Sequence, residues 1–159
     1  MRFPLALFVT CAVMLAQQPA PRAYTGAAEV TTMIEKAKKD RKPDQGNFIQ
    51  PLIQVPPYGV VNLESRVQGI DTNPNVHETE AELIYVVEGA CTFITGGTLK
   101  NEKRTNAANR TGTGIEGGTP RRISKGDWVL VPEGTAHAFT KTEGSLVIAS
   151  LHFPKPAGK

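Results

Sequence analysis

The chain has almost no cysteine. Of its two, Cys11 and Cys91, the first falls in an N-terminal stretch that reads as a leader, so Cys91 is left alone and no intrachain disulfide can form. Cys91 then reads as a small apolar strand residue, with a reactive thiol as the alternative. A charge excess is also lacking. The formal net charge of +3 would fall to +1 if residues 1–23 were removed, because that stretch holds Arg2 and Arg22 and no acid. Such a balance gives no reason to expect nucleic acid or an anionic membrane as a partner. Beyond the first residues no run is long and apolar enough to form a stable membrane span. There is no nucleophile motif, phosphate loop or dinucleotide fingerprint.

What is present begins with Met1-Arg2, the apolar run Phe3 to Ala16, and a polar, proline-containing exit with small residues at Ala20 and Ala23. That order is the order of a secretory signal. The expectation is a cleaved signal peptide over 1–23 and an exported, periplasmic or secreted, protein. Phe8-Val9-Thr10 before Cys11 makes a poor lipoprotein signal. Residues 24–45 read as a helix and linker: Val30, Met33, Ile34 and Ala37 form one apolar stripe, Thr25 is placed to cap the start, and Pro43 follows the end. From residue 46 to 159 the pattern is one of about eight short strands with glycine and proline between them, which points to an all-β sandwich or barrel. Residues 99–120 are polar and glycine-rich and read as a long loop, either an inert insertion or a lid. The loop contains Asn109-Arg110-Thr111, a glycosylation sequon if the source is eukaryotic.

Two passages in the strand region carry the chemistry. The first is Gly69, five residues, Asn75-Val76-His77, four residues, Glu82, six residues, Gly89. The second is Gly126, five residues, Pro132-Glu133-Gly134, two residues, His137, three residues, Lys141. The pair resembles the two signature motifs of the cupin superfamily over Gly59 to Phe153. Asn75 stands where that family's first histidine belongs, and Lys141 where it often has asparagine. The resemblance implies a double-stranded β-helix, the cupin jelly-roll barrel, with a short N-terminal α-helix outside it. It also implies one divalent metal ion (zinc, manganese, iron or nickel) held by His77, Glu82 and His137, with Asn75 as a weak further ligand. The residues agree with that transfer. His77 and Glu82 are an odd number apart, so Glu78 to Ala81 must bend for both to face inward. Glu82, Ile84 and Val86 then share the interior, and Leu83, Tyr85 and Val87 face out.

Other residues carry weaker expectations. His152, on the last strand, is a candidate acid/base group or a replacement for the missing ligand. Asn62, Glu64 and Arg66 form one face of an early strand. If that face looks into the barrel, Arg66 and Asn62 become substrate-binding candidates and Arg66 suits an anionic group; otherwise they face solvent. Cupins commonly dimerise, so a homodimer is expected, with the helix and prolines covering a sheet edge. One fold serves many reactions. The expected function is therefore a metal-binding cupin acting on a small polar molecule by Lewis-acid lyase or isomerase chemistry. The alternatives are an Fe(II) dioxygenase and a non-catalytic binder of a sugar or acid.

Overall fold

The computed structural model describes residues 20–154. Most of the expected signal peptide lies outside the described residues. Among the described residues no helix is long and apolar enough to cross a membrane.

Among the described residues one helix, α1 (Ala27–Asp40), precedes the strands and buries Met33, Ile34 and Ala37 of the apolar stripe. Its start is not capped by Thr25. Gly26 occupies the cap position without a side-chain bond, and the Thr25 hydroxyl instead donates to the carbonyl of Leu52, tying the helix to the first strand. Twelve strands follow: β1 (Phe48–Gln54), β2 (Val60–Val67), β3 (Asn75–His77), β4 (Glu80–Thr95), β5 (Thr98–Lys100), β6 (Lys103–Arg104), β7 (Asn109–Thr111), β8 (Gly114–Glu116), β9 (Thr119–Ser124), β10 (Trp128–Val131), β11 (His137–Thr140) and β12 (Ser145–Pro154).

All pairings are antiparallel, and β4 belongs to both layers. Its first half runs between β12 and β10, in the sheet that continues through β2 to the edge strand β1. Its second half runs between β9 and β11, in the sheet that continues through β3 to β7 and β6. The passage from one sheet to the other is at Gly89, with φ of 82°. The sequence pattern suggests a turn there, but the chain continues as one 16-residue strand. A Cβ at Gly89 would lie 1.8 Å from the carbonyl oxygen of Ser145 on β12. Glycine is required by that approach as well as by its dihedral.

Between the sheets lie Ile84, Val86, Cys91, Phe93, Ile123, Val131, Phe139, Leu146 and Ile148. Burial pushes the Cys91 thiol up to about 11, which keeps it protonated and unreactive at neutral pH. Met33 and Ile34 of α1 pack on Leu63 and Val147, on the outside of the first sheet. The helix thus covers a sheet face, not the edge expected for it. Trp128 is 65 % exposed because β10 alternates and its inward residues are Val129 and Val131. With Tyr85, whose ring is 4.5 Å away, and the exposed Leu130, it forms an apolar surface beside the part covered by α1.

The segment 99–120 is not a structureless loop. It contains β5 to β8 and the start of β9. Leu99 and Ile115 from it pack with Val76 and Ala136 in a small cluster of their own. Strand β7 pairs with β3 residue for residue, His77 opposite Asn109. An ion-pair network holds the same segment down: Arg104 and Arg110 both reach Glu78, and Arg110 also reaches Glu102.

Candidate metal centre

The bend at Glu78-Thr79 separates β3 from β4 and brings His77 and Glu82 to one cavity despite their odd spacing. His137 enters from the start of β11, after the turn in which Thr135 N–H donates to the Pro132 carbonyl. His152 enters from β12, where it pairs directly with Glu82. Glu82 and His137 are only 4 % and 3 % exposed.

The four side chains meet at the Glu82 carboxylate. Oε2 lies 3.1 Å from Nε2 of His137 and 3.9 Å from Nε2 of His77. Oε1 lies 3.9 Å from Nε2 of His152. The rings of His77 and His152 are edge to face with centroids 4.6 Å apart, and those of His77 and His137 are 5.3 Å apart. Donor atoms of His77, Glu82 and His152 all lie within 4.8 Å of one another. His137 stands outside that triplet and joins the cluster through its contact with Glu82. The short contact to a buried carboxylate is the more direct measure of membership, so we treat the four as one set. Asn75 is exposed at the start of β3 and borders the cavity without entering the cluster.

The tautomers follow from the other ring nitrogens. Nδ1 of His137 lies 3.2 Å from the Thr135 carbonyl, which can only accept, so the proton is on Nδ1. Nδ1 of His77 lies 2.8 Å from the side-chain oxygen of Asn109, with the same result. In their neutral forms both rings therefore turn Nε2 lone pairs toward Glu82. Oε2 is buried, and Nε2 of His137 is beside it. Lone pairs and a carboxylate converging without a proton between them is a cation's environment, and histidines oriented through their second nitrogen are the usual support of one.

With no ion bound, protons on the histidines can take its place beside Glu82. Burial, then the charges that His137 and His152 can carry, lower His77 despite the opposing bond to Asn109, so its neutral, ligating form prevails. Burial alone would push the Glu82 carboxyl up. The contact with His137 and the charges of His137, His152 and His77 outweigh it and hold Glu82 below the usual carboxylate range. Two imidazoles and a carboxylate, with a third imidazole beside them, suit a borderline divalent ion.

Asn109 was not legible as a site residue. The one signal was its place in an Asn-x-Thr triplet, which suggests a glycan and not a buried bond. Asn109→Ala should lower metal affinity roughly 10-fold, the usual scale for an outer partner of a ligating histidine. Asn109→Asp, which keeps the acceptor, should retain it. A metal titration of both variants is the check, and equal affinity for all three proteins would show that Asn109 does not position His77.

Beyond the four donors the cavity, about 200 Å³, is bordered by Asn47, Asn62, Glu64, Arg66 and Phe139 among others. The face of β2 that bears Asn62, Glu64 and Arg66 thus looks inward. A larger and more open depression lies elsewhere, around Gln68, Asp71 and Lys141. It contains none of the donors.

No protein-family model matches the chain, and no curated protein does. Solved structures do. An uncharacterized conserved protein with a double-stranded β-helix domain from Klebsiella pneumoniae superposes with a TM-score of 0.53 at 15 % identity, over 74 % of this chain and 85 % of that one. A predicted oxalate decarboxylase from Thermotoga maritima gives 0.50 at 14 %, over 68 % and 80 %. The cobalt(II) form of HppE in complex with Tris buffer gives 0.50 at 17 %, over 67 % of this chain and 53 % of that one, so this chain spans about half of HppE. The shared feature is the fold: this chain is a double-stranded β-helix, as in cupins.

Proposed function

On the premise of a cupin-type double-stranded β-helix, we propose that this protein binds one divalent metal ion through His77, Glu82, His137 and His152 and acts as a lyase or isomerase on a small polar molecule. The observation that carries the reading is the pair of Nδ1 bonds, to Asn109 and to the Thr135 carbonyl, which aim the Nε2 atoms of two histidines at one buried carboxylate oxygen. His152 takes the part that Asn75 leaves open: the chain supplies its third imidazole from the last strand instead of from β3. The proposed set does not include Asn75.

A bound ion would supply Lewis acidity toward a carbonyl, hydroxyl or carboxylate oxygen. The protein's part is to hold the donors neutral or anionic as required, to keep water out and to orient the substrate. Two histidines and one carboxylate are the donor set of non-haem iron oxygenases. A fourth protein donor leaves fewer positions for dioxygen together with substrate, and this favours the Lewis-acid reading. That a neighbour of this fold is a cobalt(II) complex supports a divalent ion here.

The test is elemental analysis of purified protein, followed by titration of the metal-free form with zinc, manganese, iron(II) and nickel. Close to one ion per chain, lost in His152→Ala, supports the reading. A stoichiometry near zero with all four metals overturns it. Oxygen consumption driven by iron-loaded protein would favour the dioxygenase.

We also propose a homodimer through the apolar surface around Tyr85, Trp128 and Leu130. Trp128→Glu should then sediment as a monomer with its melting temperature nearly unchanged, since the side chain is outside the core. Sedimentation velocity at micromolar concentration is the measurement, and a monomeric parent chain would exclude the dimer.

A further inference from the structure

We infer that Arg66 and its neighbours form a carboxylate subsite in the cavity, so that the molecule held there is a small monocarboxylic acid; this deepens the proposed metal function and rests on it for the second anchor. Arg66 is 7 % exposed. Its guanidinium carbon sits 4.0 Å above the centre of the Phe139 ring. Phe139 is two residues beyond His137 on the same strand, a separation of about 7 Å. The guanidinium therefore lies roughly one side-chain layer away from the metal donors.

The guanidinium is only partly used by the protein. Nη2 donates to Oε2 of Glu64 at 2.9 Å. The same oxygen accepts from Asn47 Nδ2 at 2.7 Å, and Glu64 Oε1 accepts from the Ser150 hydroxyl. Glu64 is thus supplied at both oxygens. Arg66 is not: Nε and Nη1 are buried and meet no protein acceptor. Stacking on Phe139 fixes the plane of the fork but engages its face, not the N–H groups at its edges. A partner for Glu64 alone would need one donor, yet the chain places a five-donor cation there. Unused buried donors cost about 1–3 kcal/mol each, and a carboxylate is the group that matches an arginine fork.

Charge gives the valence of the ligand. A divalent ion and Arg66 together exceed Glu64 and Glu82 by one positive charge, with the histidines neutral. Arg41, bonded to the carbonyl and hydroxyl of Ser65 on the other face of the strand, does not border the cavity and stands outside this count. One carboxylate brings the interior to neutrality. The cavity, about 200 Å³, is below the roughly 300 Å³ at which pockets for drug-sized ligands begin. The class that fits is a short acid with one carboxylate toward Arg66 and a hydroxyl or keto oxygen toward the metal donors.

The experiment is calorimetric titration of the metal-loaded protein with lactate, pyruvate and 3-hydroxypropionate, using lactamide and pyruvamide as uncharged controls. The variants are Arg66→Lys and the double replacement Arg66→Gln with Glu64→Gln, which removes both charges and strands neither. At least one acid should bind the parent protein and its amide should not. The double variant should bind that acid roughly 10- to 100-fold more weakly, and Arg66→Lys should fall between them, while metal content stays at the parent value. Equal affinity in parent and double variant overturns the subsite. So does failure of all three acids to bind the parent at about 10 mM, near the weak end of measurable affinities. If the double variant does not fold, Arg66→Lys decides: unchanged affinity counts against the inference. If the parent takes up no metal, the metal reading fails. Acid binding to the metal-free protein and its loss in the variants then still decide the role of Arg66.

Discussion

Glu82→Gln should empty the metal site without unfolding the protein. Glu82 is the one carboxylate at the convergence of His77, His137 and His152, and glutamine preserves its shape while removing the charge that offsets the ion's. Metal affinity should fall by at least ~100-fold, beyond what the loss of an outer partner causes. The fold should persist, because the apolar core between the sheets does not include Glu82. A neutral amide there is easier to bury but forgoes the contact with His137 that holds Glu82 below the usual carboxylate range, so the metal-free variant should melt close to the parent temperature. His152→Ala should also release the ion, whereas Asn75→Ala should not. The measurements are metal content after dialysis and calorimetric melting of metal-free samples. Retention of a full equivalent by both Glu82→Gln and His152→Ala would mean that the ion, if present, is bound elsewhere.

Gly89→Ala should be the most damaging single-methyl change in the barrel. Two costs combine. The φ of 82° disfavours any residue with a Cβ, by about 1–2 kcal/mol. The new carbon would also fall 1.8 Å from a backbone oxygen and within 3.1 Å of the Leu146 Cα, so relief requires β12 to move away from β4. The expected loss is about 4 kcal/mol or more, in the range reserved for core disruption. Gly126→Ala supplies the control. Its φ is 94°, but nothing lies within 4 Å of the added carbon, so only the dihedral cost of about 1–2 kcal/mol applies. Denaturant unfolding of the two variants should separate them clearly. A Gly89→Ala protein as stable as Gly126→Ala would show that β12 is free to shift.

The two motifs carry their information in spacing, and spacing survives without a structure. That is why His77, Glu82 and His137 could be named together and the double-stranded β-helix expected. Alternation in β2 put Asn62, Glu64 and Arg66 on one face, but not which face was the interior. The other face bears Leu63 and Ser65, buried beneath α1 and beside Arg41, so both sides of the strand are covered and polarity misleads. Trp128 faces out by parity, since Val129 and Val131 take the inward positions of β10. Segment 99–120 was opaque because its strands are two or three residues long and held by backbone pairing and by Glu78, Arg104 and Arg110. So short a ladder has no hydrophobic period to read. Asn109 disappeared with it.

The sharing of β4 between both sheets has a consequence for how the molecule comes into being. Every partner of β4 lies later in the chain: β9, β10, β11 and finally β12. As synthesis proceeds, β4 therefore has no partner until β9 emerges, its set of partners is complete only when β12 has been made, and the loops between them must be closed before these contacts reward them. The same delay governs cation capture, since His152 arrives on the strand that closes the sheet. A nascent chain can present His77 and Glu82 early but cannot surround an ion with all four donors until the barrel shuts. With the proposed donor set, tight retention of a metal ion would then be a property of finished molecules alone.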